Sequence, residues 1–336
     1  MLPDVKYAFI ADTHIENNRN LPFVMSTFEW ITKTLLEKKI DYLFILGDFV
    51  NSRFKFDILA LNKAIEVLNA FQKNNLKVFL LLGNHERYYK STDFSVTSIK
   101  PFEKHCIILN KVRTIIGDGF AFHIVPNVET IVEFNEIVSK IELNPKKYNI
   151  LLAHTDIKGA TTNDLYNIVS KEGISPDVLH RFDRVFLGHY HARQEIKNII
   201  YVGSPVQLTH GEEFSVKGIT IWDAKDNSIE FIENPNYEVY KTVLDIDEDV
   251  RNKFVRYFTN QFLDATDAKK IKELLIANGA LDVKIEIKNK EFKEISQSEL
   301  ENFDLKDTIN KYIELNSSNL DKEQLFKMCK EIMNDI

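Results

Sequence analysis

Val78-Phe79-Leu80-Leu81-Leu82-Gly83-Asn84-His85-Glu86 is an apolar run that stops at a glycine, followed at once by an amide, an imidazole and a carboxylate. A run of that length bounded by a turn signal reads as a strand buried on both faces. Four other stretches repeat the arrangement. Phe9-Ile10-Ala11 leads into Asp12-Thr13-His14, and Tyr42-Leu43-Phe44-Ile45-Leu46 leads into Gly47-Asp48. Ile150-Leu151-Leu152-Ala153 leads into His154, and Val185-Phe186-Leu187 leads into Gly188-His189-Tyr190-His191. A rigid sheet whose strands end in Asp, Asn and His aims those side chains at one point. The pattern predicts an α/β fold with a metal site at the strand ends.

Seven side chains in these turns carry ligand atoms: Asp12, His14, Asp48, Asn84, His154, His189 and His191. One closed structural zinc site uses about four ligands, so seven points to two divalent ions. Carboxylate, amide and imidazole without thiolate suit manganese, iron or zinc. Asp48 stands mid-set and is the natural bridge between ions about 3.5–4 Å apart, a pair that clamps attacking and leaving oxygens at phosphorus. Each motif alone is weak; Gly-Asp after a strand is ordinary turn chemistry. The ordered set of five carries the signal. Gly188-His189-Tyr190-His191 places two imidazoles at i and i+2, on one side of an extended segment. His105, His123, His180 and His210 lie outside the pattern and read as ordinary surface or core residues.

In this order the five motifs resemble those of the calcineurin-like metallophosphoesterases, over about the first 235 residues. The resemblance implies a four-layer α-β-β-α sandwich. It implies that Asp12, His14, Asp48 and His191 hold one ion, and Asp48, Asn84, His154 and His189 the other, with manganese first among manganese, magnesium, iron and zinc. By the same resemblance His85 is not a ligand. It faces the scissile phosphate as acid or charge stabiliser, because the leaving alkoxide must be neutralised as its bond breaks.

Three features point to the nuclease branch of that superfamily. Tyr201-Val202-Gly203-Ser204, continuing to Gly211-Glu212, resembles a segment of the DNA double-strand-break repair nucleases, including bacterial SbcD and the recombination nuclease subunits of large phages. Gly47-Asp48-Phe49-Val50-Asn51-Ser52-Arg53 matches the phosphatase signature only in part. About a hundred residues then follow the core. One position departs from the branch: His or Asp is usual three residues after Gly-Asp, and here it is Asn51. An amide can bond a phosphate oxygen or a sugar but cannot deliver a proton as imidazolium does.

Beyond a core over 1–240, the alternation over Lys253–Phe258 and Leu281–Ile287 predicts two strands. Between them lies a helix from Thr266 as cap to Gly279 as terminator. This α/β unit, 241–295, resembles the capping domain over the nuclease cleft. Over 296–336, Leu305, Ile309, Tyr312 and Ile313, then Leu325, Met328, Ile332 and Met333, form two apolar stripes around Asn316–Asn319. They predict a C-terminal helical hairpin whose second helix opens at a Ser318–Asp321 capping box. In the SbcD-like family that region grips the coiled coil of an SbcC-like ABC-type ATPase. Family members also pair through early helices, and Phe23–Leu36 or Ile58–Phe71 fills that role in a homodimer, or else simply covers the sheet.

The chain of 336 residues suits one large domain and a small one. It has no charged-then-apolar leader and no apolar stretch near ~18 residues, so the expectation is cytoplasm (a host's, for a phage protein) and no membrane span. Cys106 and Cys329 are too few for a disulfide framework. A net charge of −7 is unusual for a DNA-binding protein. Two divalent ions add positive charge where phosphate sits, and affinity from an ATPase partner leaves this chain alone a weak DNA binder. Arg53, Arg87, Lys90 and Arg193, all near motif turns, are candidate phosphate contacts. The function expected is a metal-dependent DNA exonuclease or endonuclease. A small-molecule phosphodiesterase on the same core and a catalytically silent DNA-end scaffold are its rivals.

Overall fold

The computed structural model describes residues 3–88, 97–163, 168–261 and 263–287. Both expected strand ladders are present as six-stranded sheets. In the first, β1 (Lys6–Ile10), β2 (Tyr42–Ile45), β3 (Lys77–Leu81) and β4 (Ile107–Leu109) run parallel. In the second, β6 (Phe120–Val125), β7 (Tyr148–His154), β10 (Arg184–Gly188) and β12 (Ile199–Tyr201) do the same, with antiparallel β5 (Arg113–Ile116) and β11 (Gln194–Ile196) at the edges. Antiparallel β13 (Gly218–Asp223) and β14 (Ser228–Glu233) extend the first sheet beyond β1. A short hairpin, β8 (Thr161–Asn163) and β9 (Ile168–Val169), stands apart.

Alternation along each strand explains why these runs are apolar throughout. Ala8, Ile10, Leu43 and Ile45 face α1 (Leu21–Glu37) and α2 (Ile58–Lys73). Tyr7, Phe9 and Phe44 face the other sheet. Successive residues point to opposite faces, so a strand covered on both sides has no polar position. Phe134 and Val138 of α3 (Ile131–Lys140) and Leu179 of α4 (Pro176–Leu179) cover the outer face of the second sheet. The result is the expected α-β-β-α sandwich. Aromatic rings fill its middle, with Phe9 stacked on Phe186 at 4.1 Å between centroids. Because β1, β2, β3, β7 and β10 run in parallel within their sheets, their carboxyl ends carry the motif turns. Ligands of open α/β sheets bind at such ends.

The tail carries β15 (Tyr240–Val243), β16 (Phe254–Thr259), α5 (Ala265–Ala277) and β17 (Asp282–Ile287), with β16 central in a three-stranded sheet. The α5 cap is Asp264, whose carboxylate accepts from Asp267 N, and not Thr266, which lies inside the first turn. A carboxylate at that position also favours the positive end of the helix dipole. Gly279 takes φ +100° just past the helix, the left-handed conformation glycine reaches freely. Residues up to Phe258 and Leu263–Glu286 form one compact unit. Inside it Arg19 pairs with Asp282 at 3.0 Å, and the Tyr240 hydroxyl donates to Asn20 at 2.6 Å. The hairpin expected over 296–336 lies outside the described residues, as does Lys90.

Phe186 is fully buried against Phe9. Truncation to alanine empties the interface between the sheets, and Phe186→Ala should lower unfolding stability by about 3–5 kcal/mol, measured by urea denaturation.

Candidate metal centre

Four of the seven expected ligands sit in the left-handed backbone region: Asp12 at φ 54°, His14 at 44°, Asp48 at 50° and His189 at 108°. Each such residue costs on the order of 1–3 kcal/mol, and such outliers cluster at functional sites. The surroundings hold them there. Asp12 N donates to Gly47 O and His14 N to Asp48 O. Glu86, fully buried, accepts from the backbone N–H of Asp48, Val50 and Gly83 at 3.0, 3.1 and 2.7 Å. Burial, then Asp48 nearby, pushes its pKa up to about 8. Gly83 has no alternative: a Cβ there would lie 2.2 Å from Asp48 Oδ1 and 2.4 Å from Asp48 N.

The structure brings all seven side chains together. Asp12, His14 and His191 converge, as do Asp12, Asp48 and His154, each trio within 4.8 Å. His14 Nε2 and His191 Nε2 face each other at 3.1 Å. Asn84 Oδ1 lies 2.9 Å from His154 Nε2 and 3.0 Å from His189 Nδ1. Asp48 Oδ2 stands between these groups, 3.7 Å from His14 and 3.4 Å from His154. The donor set fits divalent ions. Lone pairs of imidazole, amide and carboxylate converge in a buried cluster with no thiolate, around a carboxylate that both groups can reach. His189 and His191 are not on one side of an extended segment, as their spacing predicts. The left-handed turn at His189 sends its ring to Asn84 and the His191 ring to His14.

His85 also comes within 4.8 Å of His14 and Asp48, but its ring is held by residues outside the seven. Its Nδ1 meets Asn51 Oδ1 at 2.6 Å, and Asn51 Nδ2 donates to Glu16 at 2.9 Å. A carboxylate only accepts, so Glu16 fixes which way the amide points, and the Asn51 carbonyl then requires N–H at His85 Nδ1. The other nitrogen, Nε2, is left 3.9 Å from Asp48. Asn51 therefore spends both ends of its amide on protein partners and orients His85. Glu16 and Glu86 had no role in the sequence reading; Glu86 was visible in the third motif, whereas Glu16 carries no local signal. Of the candidate phosphate contacts, Arg87 is buried beside Asn127 and Arg193 is paired with Glu195, so neither is a solvated cation. Arg53 is exposed, and after burial and Asp48 it is the next influence on His85, pulling its pKa down. His123, bonded to Thr114 and Asn149, and His180, paired with Asp177, are structural.

Burial, with His191 beside His14 and His154 beside His189, brings both rings down to about 3, so each presents a lone pair at neutral pH. Asp12 is pushed up to about 6, chiefly by burial. Burial also works against the charge on Asp48, yet His154 and His14 outweigh it and hold that carboxyl well below its usual range. For His154 burial is again outweighed, by Asp48 and then Asp12, and its pKa rises to about 10.

The model of the family described as calcineurin-like phosphoesterase matches residues 5–193, more than half of the chain. The chain belongs to that family. It is 25% identical over 192 residues to Exonuclease subunit 1 of Enterobacteria phage T4, covering 56% of this chain and 54% of the relative. It therefore spans about half the length of that relative. Putative phosphoesterase 244L of Invertebrate iridescent virus 6 is 30% identical over 219 residues, covering 63% and 73%. The SbcD component of the SbcCD nuclease of Staphylococcus epidermidis is 26% identical over 258 residues, covering 67% of each chain. Family membership makes this chain a phosphoesterase whose fold implies divalent metals.

Without metal, His154 holds a proton through neutral pH, because its pKa is raised to about 10. A ligand must present a lone pair. Metal binding should therefore release protons, and affinity should rise between pH 6 and 9. Calorimetric titration in buffers of different ionisation enthalpy measures the release; a heat independent of buffer would contradict it.

Proposed function

We propose that this chain is a metal-dependent DNA nuclease subunit, hydrolysing phosphodiesters with two divalent ions and acting with an SbcC-like ABC-type ATPase in recombination, repair or end processing. The observation that carries the chemistry is the meeting of two ligand groups at Asp48 with an oriented His85 beside them. Asp12, His14, Asp48 and His191 would hold one ion, and Asp48, Asn84, His154 and His189 the other, with manganese the first candidate. When bound, the ions supply Lewis acidity at the phosphoryl oxygens and lower the pKa of water.

The chain's own residues do the rest. Glu16 and Asn51 hold the His85 ring so that Nε2 faces the cleft. In its imidazolium form, which burial opposes and Asp48 favours, a ring so placed stabilises charge on the phosphate. It hands its Nε2 proton to the departing alkoxide and returns to the neutral ring with N–H on Asn51. The alkoxide is far more basic than imidazole, so the transfer runs downhill. Asn51 sets the ring's direction but adds no second proton donor, so acid catalysis falls on His85 alone.

Two relatives are named as nuclease components, and their names support a nucleic-acid substrate. So does the resemblance of the Tyr201–Glu212 segment to the repair nucleases. The remaining roles extend the same proposal: 241–295 caps the cleft, 296–336 docks the ATPase, α1 or α2 pairs two copies, and the complex works in the cytoplasm.

Manganese-dependent cleavage of end-labelled linear DNA, with bis-p-nitrophenyl phosphate in parallel, tests this function. His85→Ala should cut DNA hydrolysis by roughly 10²–10⁴-fold with metal content unchanged. Wild type that hydrolyses only the small ester, even with a candidate ATPase present, would sink the nuclease assignment and leave a small-molecule phosphodiesterase.

A further inference from the structure

One expected ligand is gripped unlike the others. His191 Nδ1 donates to Glu212 Oε1 at 3.0 Å, and Glu212 Oε2 pairs with Lys217 Nζ at 2.9 Å. Lys217 is 1% exposed, and its ammonium turns back to the His191 carbonyl oxygen at 2.7 Å. Ser204 completes the ring: its backbone N–H also donates to His191 O, and its hydroxyl contacts both Lys217 and Glu212. A buried ion pair thus holds His191 at both ends, ring and carbonyl. The comparable outer nitrogen of His154 meets only a neutral backbone carbonyl, Leu46 O, at 2.7 Å.

Long charged side chains are almost never fully buried unless paired, and taking such a pair out of water is costly. Two sequence neighbours of no direct chemical use would not pair here for packing alone. The chemistry they serve is at His191. A carboxylate accepts but does not donate, so Glu212 fixes the proton of His191 on Nδ1. Nε2 is left bare, pointing at His14 Nε2 3.1 Å away. Lys217 balances the carboxylate charge and, through its bond to the His191 carbonyl, ties the pair to the backbone of the same residue.

We propose that Glu212 and Lys217 are positioning residues for His191, and that their ion pair sets the affinity of one of the two metal positions, the one shared by Asp12, His14, Asp48 and His191, while leaving the other untouched. This rests on the two-ion reading above. Outer partners of metal-bound histidines orient the ring and fix its tautomer, and losing them weakens metal binding about 10–100-fold.

Two variants avoid an orphaned buried charge. Glu212→Gln/Lys217→Met removes both charges together, and Glu212→Asp keeps the pair but shortens the reach to His191. Manganese binding is followed by calorimetry and by electron paramagnetic resonance of the coupled pair, with thermal melting of the metal-free proteins as the control for folding. Wild type should bind two ions. Each folded variant should keep one ion at wild-type affinity and bind the other roughly 10–100-fold more weakly, losing the coupled signal at low manganese and regaining it at high manganese. In a His191→Ala background Glu212→Asp should change nothing further. Two ions bound at wild-type affinity by a folded variant, or equal weakening of both, would overturn the proposal. Wild type that binds fewer than two ions would instead overturn the two-ion reading itself. Should the double variant fail to fold, Glu212→Asp decides alone.

Discussion

The Asp48 carboxylate, buried between two groups of ligand atoms, is the constraint on which the rest of the site depends. It reaches that place only because its backbone is held left-handed, and the hold comes from Glu86. One carboxylate collects the N–H groups of Asp48, Val50 and Gly83, tying the turns after β2 and β3 into a single rigid piece. The close approach explains the glycine at position 83, where any side chain would strike Asp48. It also explains why His85 is so placed, since its backbone N–H donates to Asp48 Oδ1 at 2.9 Å. Geometry, strain and catalytic orientation all trace to that knot.

The electrostatics follow from packing titratable groups in a dry place. Burial drives His14 and His189 towards neutrality, whereas the two carboxylates around His154 force a proton onto it. Without metal the cluster satisfies itself by holding that proton, and its lone pairs otherwise face one another. A divalent cation would meet the same need with ligand bonds. The sandwich makes this possible. Its interior is a stack of aromatic rings too rigid to let the strand ends drift, so the ligands are set before any ion arrives.

Much of this was legible in the sequence because strand ends and metal ligands leave local signals. Apolar runs such as Val78–Leu82 announced buried strands, and the residues after them announced a site. What escaped was whatever depends on contacts distant in sequence or on backbone twist. Glu16 reaches Asn51 across 35 positions, and nothing near it in sequence betrays the meeting. The two imidazoles of Gly188–His191 diverge because His189 is left-handed, a conformation that spacing alone does not encode. Thr266 looked like a cap because it precedes the apolar stripe, but Asp264 offers a carboxylate two residues earlier and wins. Arg87, a plausible phosphate contact by position, is buried by the fold.

The most direct test of the account is anomalous diffraction from crystals of the wild-type protein grown with manganese. Two peaks about 3.5–4 Å apart are expected, with the Asp48 carboxylate touching both, Asn84 on one side and His14 on the other. A single peak, or two that share no contact with Asp48, would contradict the arrangement and the chemistry built on it.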